Sequence, residues 1–313
     1  MNATCRPLED KTISLVLGSG GARGLAHIGA IAELQRAGVR IEALAGSSMG
    51  ALVGGIYAAD KLDAYEEWVC QLGQSDVLSL LDWTFSGGGF IKGRKIITKL
   101  EELVGELNIE DLALDYTAVA VDIDQGREVW MDRGPLFDAI RASIAIPGVF
   151  TPHRYRNRTL VDGGLLNPIP VAPTLRCITD LTVVVDVNGK EDARLEGRDR
   201  KSDASNAAKE NAEEEAKEAA ASSLMNKLRD FMDSFSKDRK PTDSQPGLLA
   251  VMMRSLDVME AAITRQQLAS FQPDLVIRIP KNACMVHEFH RAREVIDLGA
   301  EMARHAIEQY RPY

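Results

Sequence analysis

Short uncharged runs alternate with amphipathic stretches along most of this chain. Residues 13–17, Ile-Ser-Leu-Val-Leu, have the length and the β-branched and leucine content of a buried strand. The run ends in Gly18-Ser19-Gly20-Gly21-Ala22-Arg23-Gly24, after which Leu25, Ile28, Ala32 and Leu34 predict a helix that stops near Gly38. Residues 39–45 predict a second strand that leads into Ser48, and helices are expected over 49–59 and 62–72. Residues 75–93, with Trp83, Phe85 and Gly87-Gly88-Gly89, are irregular and read either as a loop-rich cover over a pocket or as a plain surface connection. A helix follows over 94–105, then a strand pair at 116–121 and 128–131, joined by Asp124-Gln125-Gly126-Arg127. Pro135 suits a helix start, with the helix continuing to Ser143. Leu160-Val161 closes a strand that delivers Asp162-Gly163-Gly164. Buried strands are expected at 181–187 and 275–279, and a long amphipathic helix over 287–310. Strands alternating with helices predict an α/β fold built on a mainly parallel sheet.

Residues 189–221 break this rhythm. They are rich in Lys, Glu, Asp, Ala and Ser and nearly free of large apolar side chains, so they cannot bury a core and read as disorder or a solvated helix. Beyond them Leu224, Met225, Leu228, Phe231, Met232 and Phe235 fall on one face of a helix spanning about 222–236. That face suits docking against the domain or a second copy of the chain in a homo-oligomer; it also suits a lid or an interfacial helix in peripheral contact with a membrane. The expected organisation is one catalytic domain, 11–188 with 246–310, interrupted by a charged insertion at 189–245.

Composition narrows the picture. With 313 residues and 45% hydrophobic content the chain has enough apolar material for a sizeable core. A net charge of −9 argues against a nucleic-acid partner. Residues 43–59 are uncharged and approach the length of a membrane span, but they contain four glycines and two adjacent serines, and a buried strand–turn–helix explains them better. The four cysteines (Cys5, Cys70, Cys177 and Cys284) are scattered and form neither a CxxC nor a Cys/His cluster. Together with a polar stretch over residues 1–11, they suggest a cytoplasmic protein with free thiols, peripheral at the inner membrane face if the 222–236 helix touches lipid.

The chemistry centres on Gly46-Ser47-Ser48-Met49-Gly50. A strand, a sharp turn and a helix would push the Ser48 hydroxyl out of the backbone, and glycines two residues to either side allow close backbone approach. The first glycine-rich stretch presents successive N–H groups at the opening of a helix, which suits stabilising an oxyanion. Dinucleotide binding ranks well below this, because Ser19 breaks the GxGxxG frame ending at Gly24. For a base, His287 or His290 would satisfy the chain order of a serine–acid–histidine triad, yet both read as surface or helix-capping residues. Asp162, at a strand end ahead of two glycines, is better placed; a carboxylate in a dry site can accept a serine proton.

These stretches, in this order, resemble the three motifs of patatin-like phospholipases. Ala142-Ser143-Ile144-Ala145-Ile146-Pro147-Gly148, Asn167-Pro168-Ile169-Pro170 and Glu288-Phe289-His290-Arg291-Ala292 look most like the bacterial branch related to neuropathy target esterase. The resemblance covers roughly 11–310 outside the insertion. It implies a three-layer α/β/α fold and a histidine-free dyad in which Ser48 is the nucleophile and Asp162 the base. It also implies an oxyanion hole from the N–H groups of Gly20 and Gly21 with Ser19, in a loop that Arg23 and Gly24 complete and whose motif Gly18 supports. Gly46, Gly50, Gly163 and Gly164 support the motifs. Ser19 departs from the pattern, standing where the family often has glycine. The implied activity is hydrolysis of lipid acyl esters, of phospholipase A or lysophospholipase type, through an acyl-enzyme and with no cofactor or metal. An acyltransferase or thioesterase using the same dyad, or a non-catalytic regulatory protein of the same fold, are the alternatives.

Overall fold

The computed structural model describes residues 8–84, 90–195 and 248–311. Among these residues one sheet is built from β1 (Thr12–Leu17), β2 (Arg40–Ser47), β3 (Asp115–Asp122), β4 (Arg127–Met131), β5 (His153–Tyr155), β6 (Arg158–Asp162), β7 (Leu181–Gly189) and β8 (Leu275–Pro280). Its order is β5–β6–β3–β2–β1–β7–β8, with β4 paired to β3 outside that path. The run from β3 through β2, β1 and β7 to β8 is parallel, whereas β4, β6 and β5 join antiparallel at the β3 end. The helices are α1 (Ala26–Arg36), α2 (Met49–Ala58), α3 (Leu62–Cys70), α4 (Gln74–Ser79), α5 (Arg94–Val104), α6 (Leu136–Ser143), α7 (Leu248–Phe271) and α8 (Ala292–Gln309).

The alternation of strand side chains explains why helices lie on both faces. Ile13, Leu15 and Leu17 of β1, with Val183, Val185 and Val187 of β7, point into one large core with residues of α1, α2 and α8. Val16 and Val184 point the other way, into a smaller cluster with Ile169 and Val171 against which Leu268 of α7 packs. A parallel sheet buried on both faces needs such unbroken apolar runs. No helix among the described residues is long and apolar enough to cross a membrane; the uncharged stretch 43–59 is instead the end of β2, the turn at Ser48 and α2.

The predicted strands and most predicted helices fall within a few residues of the observed ones. Three differences matter. A short 3₁₀ turn, Gly21–Leu25, separates the glycine loop from α1. The C-terminal helix starts at Ala292 rather than 287, because residues 285–291 turn back over that loop: Ala22 N–H donates to Val286 O at 2.9 Å. And α7, 24 residues long, occupies a region for which the sequence pattern announced nothing. The helix expected at 222–236, most of the charged 189–245 stretch, Phe85 and Gly87-Gly88-Gly89 lie outside the described residues.

Candidate active site

Strand register brings the two candidate catalytic side chains together. Ser47, the last residue of β2, pairs with Val119 of β3, and the adjacent Ala120 pairs with Asp162 of β6. Because β6 runs antiparallel to β3, it re-enters the sheet from beyond the β3 end and stops level with the β2 end. Ser48 Oγ then donates to Asp162 Oδ2 at 2.5 Å, across 114 residues of sequence.

Ser48 occupies a strained position, with φ 55° and ψ −122° between β2 and α2. The turn is tight enough to exclude side chains from its neighbours. A Cβ at Gly50 would lie 2.1 Å from Leu17 O, and one at Gly46 2.3 Å from Gly50 O. The Ser48 N–H donates to Ser143 Oγ at 2.9 Å, and that hydroxyl donates to Val119 O at 2.6 Å, so α6 and β3 together fix the elbow. Ser47 is fully buried beside Gly163 and is not among the residues that line the cavity.

Asp162 is also held from behind, with Gly164 N–H donating to Oδ1 at 2.7 Å. Burial pushes its carboxyl up to about 7, while the Ser48 hydroxyl and the Gly164 amide pull the other way. Among the described residues no ion pair is formed with this carboxylate, so burial dominates and leaves it basic enough to take a serine proton near neutral pH.

The glycine loop is pinned along its length. Gly18 N–H donates to Val185 O, and Ser19 N–H to Pro168 O at 2.9 Å. The Ser19 carbonyl accepts from Asn188 Nδ2 at 2.7 Å, and Arg23 Nη2 donates to Asn188 Oδ1 at 2.6 Å. Ser19 N–H is therefore occupied, and of the three amides expected to face an oxyanion those of Gly20 and Gly21 have no backbone acceptor among the described residues. His27, fully buried, is lowered to about 4 by burial and is neutral; its Nε2–H donates to Gly18 O at 2.9 Å and steadies the loop.

Ser48 and Asp162 open onto a cavity of about 460 Å³ lined by side chains such as Leu52, Tyr65, Val69, Leu80, Ile144 and Phe150. Trp83 also lines it, so the irregular segment does reach over a pocket. His287 and His290, expected as surface or helix-capping residues, are both partly buried and line the cavity, because residues 285–291 fold back over the loop. Neither hydrogen-bonds Ser48 or Asp162. Sequence reading missed one polar group here: Glu260 of α7, whose carboxyl enters the cavity and accepts from Ser19 Oγ at 3.2 Å. A carboxylate one turn after Asp257, in a helix with no motif, carries no sequence signal that would have singled it out. Among the described residues no three His, Cys, Asp or Glu side chains gather in a metal-binding group.

Residues 15–175 match the family model described as patatin-like phospholipase. An uncharacterised NTE family protein of Mycobacterium tuberculosis is 40% identical over 95% of this chain and 92% of its own length. The lysophospholipase nte1 of Emericella nidulans is 30% identical over 61% of this chain but only 13% of its own. The solved structure of VipD from Legionella pneumophila aligns with 96% of this chain and 67% of its own at 12% identity and a TM-score of 0.43, a likeness too loose to build on.

Proposed function

The chain belongs to the patatin-like phospholipase family and is a lipid ester hydrolase, and from that premise we propose that it cleaves phospholipid or lysophospholipid acyl esters with a Ser48–Asp162 dyad. One observation carries the reading: the hydrogen bond from Ser48 Oγ to Asp162 Oδ2 at the polar end of a largely apolar cavity.

Ser48 Oγ attacks the ester carbonyl as its proton passes to Asp162 Oδ2, and the carbonyl oxygen takes up the negative charge. The N–H groups of Gly20 and Gly21 meet that oxyanion, in a loop whose other amides are already committed, so little reorganisation is needed. Collapse breaks the bond to the leaving alkoxide, which receives the proton from Asp162 and departs as an alcohol. The acyl group remains on Ser48. Water then attacks this ester, Asp162 takes the water proton, and collapse returns a proton to Ser48 and frees the fatty acid. An acyl chain fits the apolar part of the cavity, which falls within the usual range of small-ligand pockets at roughly 300–1,000 Å³. The name of the fungal relative supports a lysophospholipid among the substrates.

The test is a lipid-class profile of fatty-acid release by the wild-type protein and by Ser48→Ala, with a fluorophosphonate probe mapped by mass spectrometry. Wild type is expected to release fatty acid and to carry the label on Ser48. Label on Ser47, or unchanged release by Ser48→Ala, would overturn the dyad. Acyl transfer to added lysolipid exceeding release into water would make the protein an acyltransferase instead.

A further inference from the structure

α7 brings a second carboxyl to the dyad. Three polar atoms converge on Gly164: a Cβ there would lie 2.7 Å from Glu260 Oε1, 3.0 Å from Ser19 Oγ and 3.1 Å from Asp162 Oδ1. The absent side chain makes the space in which two carboxyls and a hydroxyl meet. Glu260 as a residue is half-buried, but its carboxyl is the inward end, turned against Gly164 and Ser19. Ser19 in turn is tethered at three points. Its N–H goes to Pro168, its carbonyl to Asn188 and its hydroxyl to Glu260, and the two amides left for the oxyanion follow it directly.

Resting on the Ser48–Asp162 reading, we propose that Glu260 is a positioning residue of the reaction: its carboxyl anchors the oxyanion loop through Ser19 Oγ and keeps a proton while Asp162 works as the base. This gives a use to the serine that stands in the loop where the family often has glycine. A second carboxylate beside the first would repel the negative charge forming at the Gly20 and Gly21 amides, so the anchor serves only in its neutral form.

The charges that face Glu260 are Asp162 from the end of β6, Asp257 from its own helix and Arg23 from the loop; His287, Glu288 and His290 line the same cavity. Burial, with the charges on Asp162 and Asp257, pushes Glu260 up to about 8, against the pull of Ser19 and Arg23. The two carboxyls differ in what holds their charged forms. Asp162 accepts from the Ser48 hydroxyl and the Gly164 amide, whereas among the described residues Glu260 accepts from Ser19 alone. These contacts favour placing the charge on Asp162 and the proton on Glu260 in the state of the pair that carries one of each.

The experiment compares kcat and KM against pH for wild type, Glu260→Gln and Glu260→Ala on a short-chain p-nitrophenyl ester. Wild type should lose activity on an alkaline limb near pH 8, falling about tenfold by pH 9.5. Glu260→Gln, which keeps a neutral acceptor for Ser19, should lack that limb and stay within about twofold of its own maximum. Glu260→Ala should lower kcat about tenfold with KM within about twofold, and Glu260→Gln should recover most of that loss. An alkaline limb that persists in Glu260→Gln, or Gln no better than Ala, overturns the proposal. A second readout needs no turnover. The melting temperature of Glu260→Gln minus that of wild type should widen between pH 5 and about 8 and then level off. A constant gap overturns the proposal even if the protein hydrolyses no ester. Conversely, a widening gap beside full activity in Ser48→Ala would sink the dyad and leave the Glu260 proton in place.

Discussion

The active cavity has two walls of different construction. One is made of strand ends: Ser48 after β2, the glycine loop after β1 and Asp162 at the end of β6. Each group there is fixed by backbone, through sheet register, buried carbonyls and turns too tight for a Cβ. The other wall is helical, with Leu52 of α2, Val69 of α3 and Met253, Leu256 and Glu260 of α7. Side chains there project from helices rather than from strand ends, so sheet register does not place them directly. The contrast separates two tasks. Atoms that react need sub-ångström placement, which buried strand ends supply; a surface that accepts a lipid chain needs only shape and apolarity.

The sharpest way to break this contrast is by turnover. Ser48→Ala and Asp162→Asn should each lower kcat by about a thousandfold or more, as expected for groups that act as one unit. His290→Ala, on the helical wall, should stay within about fivefold of wild type in the same assay. Equal damage from His290→Ala and Asp162→Asn would mean that a histidine is part of the reaction and that the division between the walls is wrong.

The same division explains what could be read from the sequence. The strand-end wall was legible because backbone constraints leave residue-type signatures: Gly46 and Gly50 flank Ser48, and Gly163 follows Asp162, because a Cβ at each would run into backbone. Sheet alternation was legible in residues 13–17 and 181–187 because both faces of those strands are buried. α7 was not, since its moderately apolar face alternates with exposed Val251, Met252, Val258 and Met259 and no strong amphipathic period emerges. Glu260 was invisible for a related reason. Its role depends on which helix crosses Gly164, and that is a fact of tertiary packing alone. Ser19 was half legible: the loop was clear, but the capture of its N–H by Pro168 needed the chain brought back from 149 residues away.

Stability offers a second, smaller test. Gly50→Ala places a methyl 2.1 Å from a backbone oxygen that cannot swing aside, and should cost about 3 kcal/mol or more in urea unfolding. Leu256→Ala removes a half-buried side chain from the helical wall and should cost about 1–2 kcal/mol. If the two losses were equal, the strand-end wall would be no more constrained than its partner.

The smallest expected effect runs in the opposite direction. Burial holds the Asp162 carboxyl near 7, far above its range in an unfolded chain. Between about pH 4 and 7 the folded protein thus keeps a proton that the unfolded chain has released, so stability falls as pH rises through that window and levels off above it. Asp162→Asn removes the titration while retaining an oxygen for the Gly164 amide. The variant should match wild type below about pH 4 and exceed it by about 1–3 kcal/mol at pH 8, a melting-temperature gain of a few degrees. Differential scanning calorimetry across pH 4–9 reads this directly, and a gain that does not grow with pH would show that the buried carboxyl is not strained. The strand-end wall would then be rigid everywhere, including at its base. If the gain does grow, the tightest-held group in the cavity is also one that the fold tolerates at a cost, which is where a reactive carboxylate has to sit.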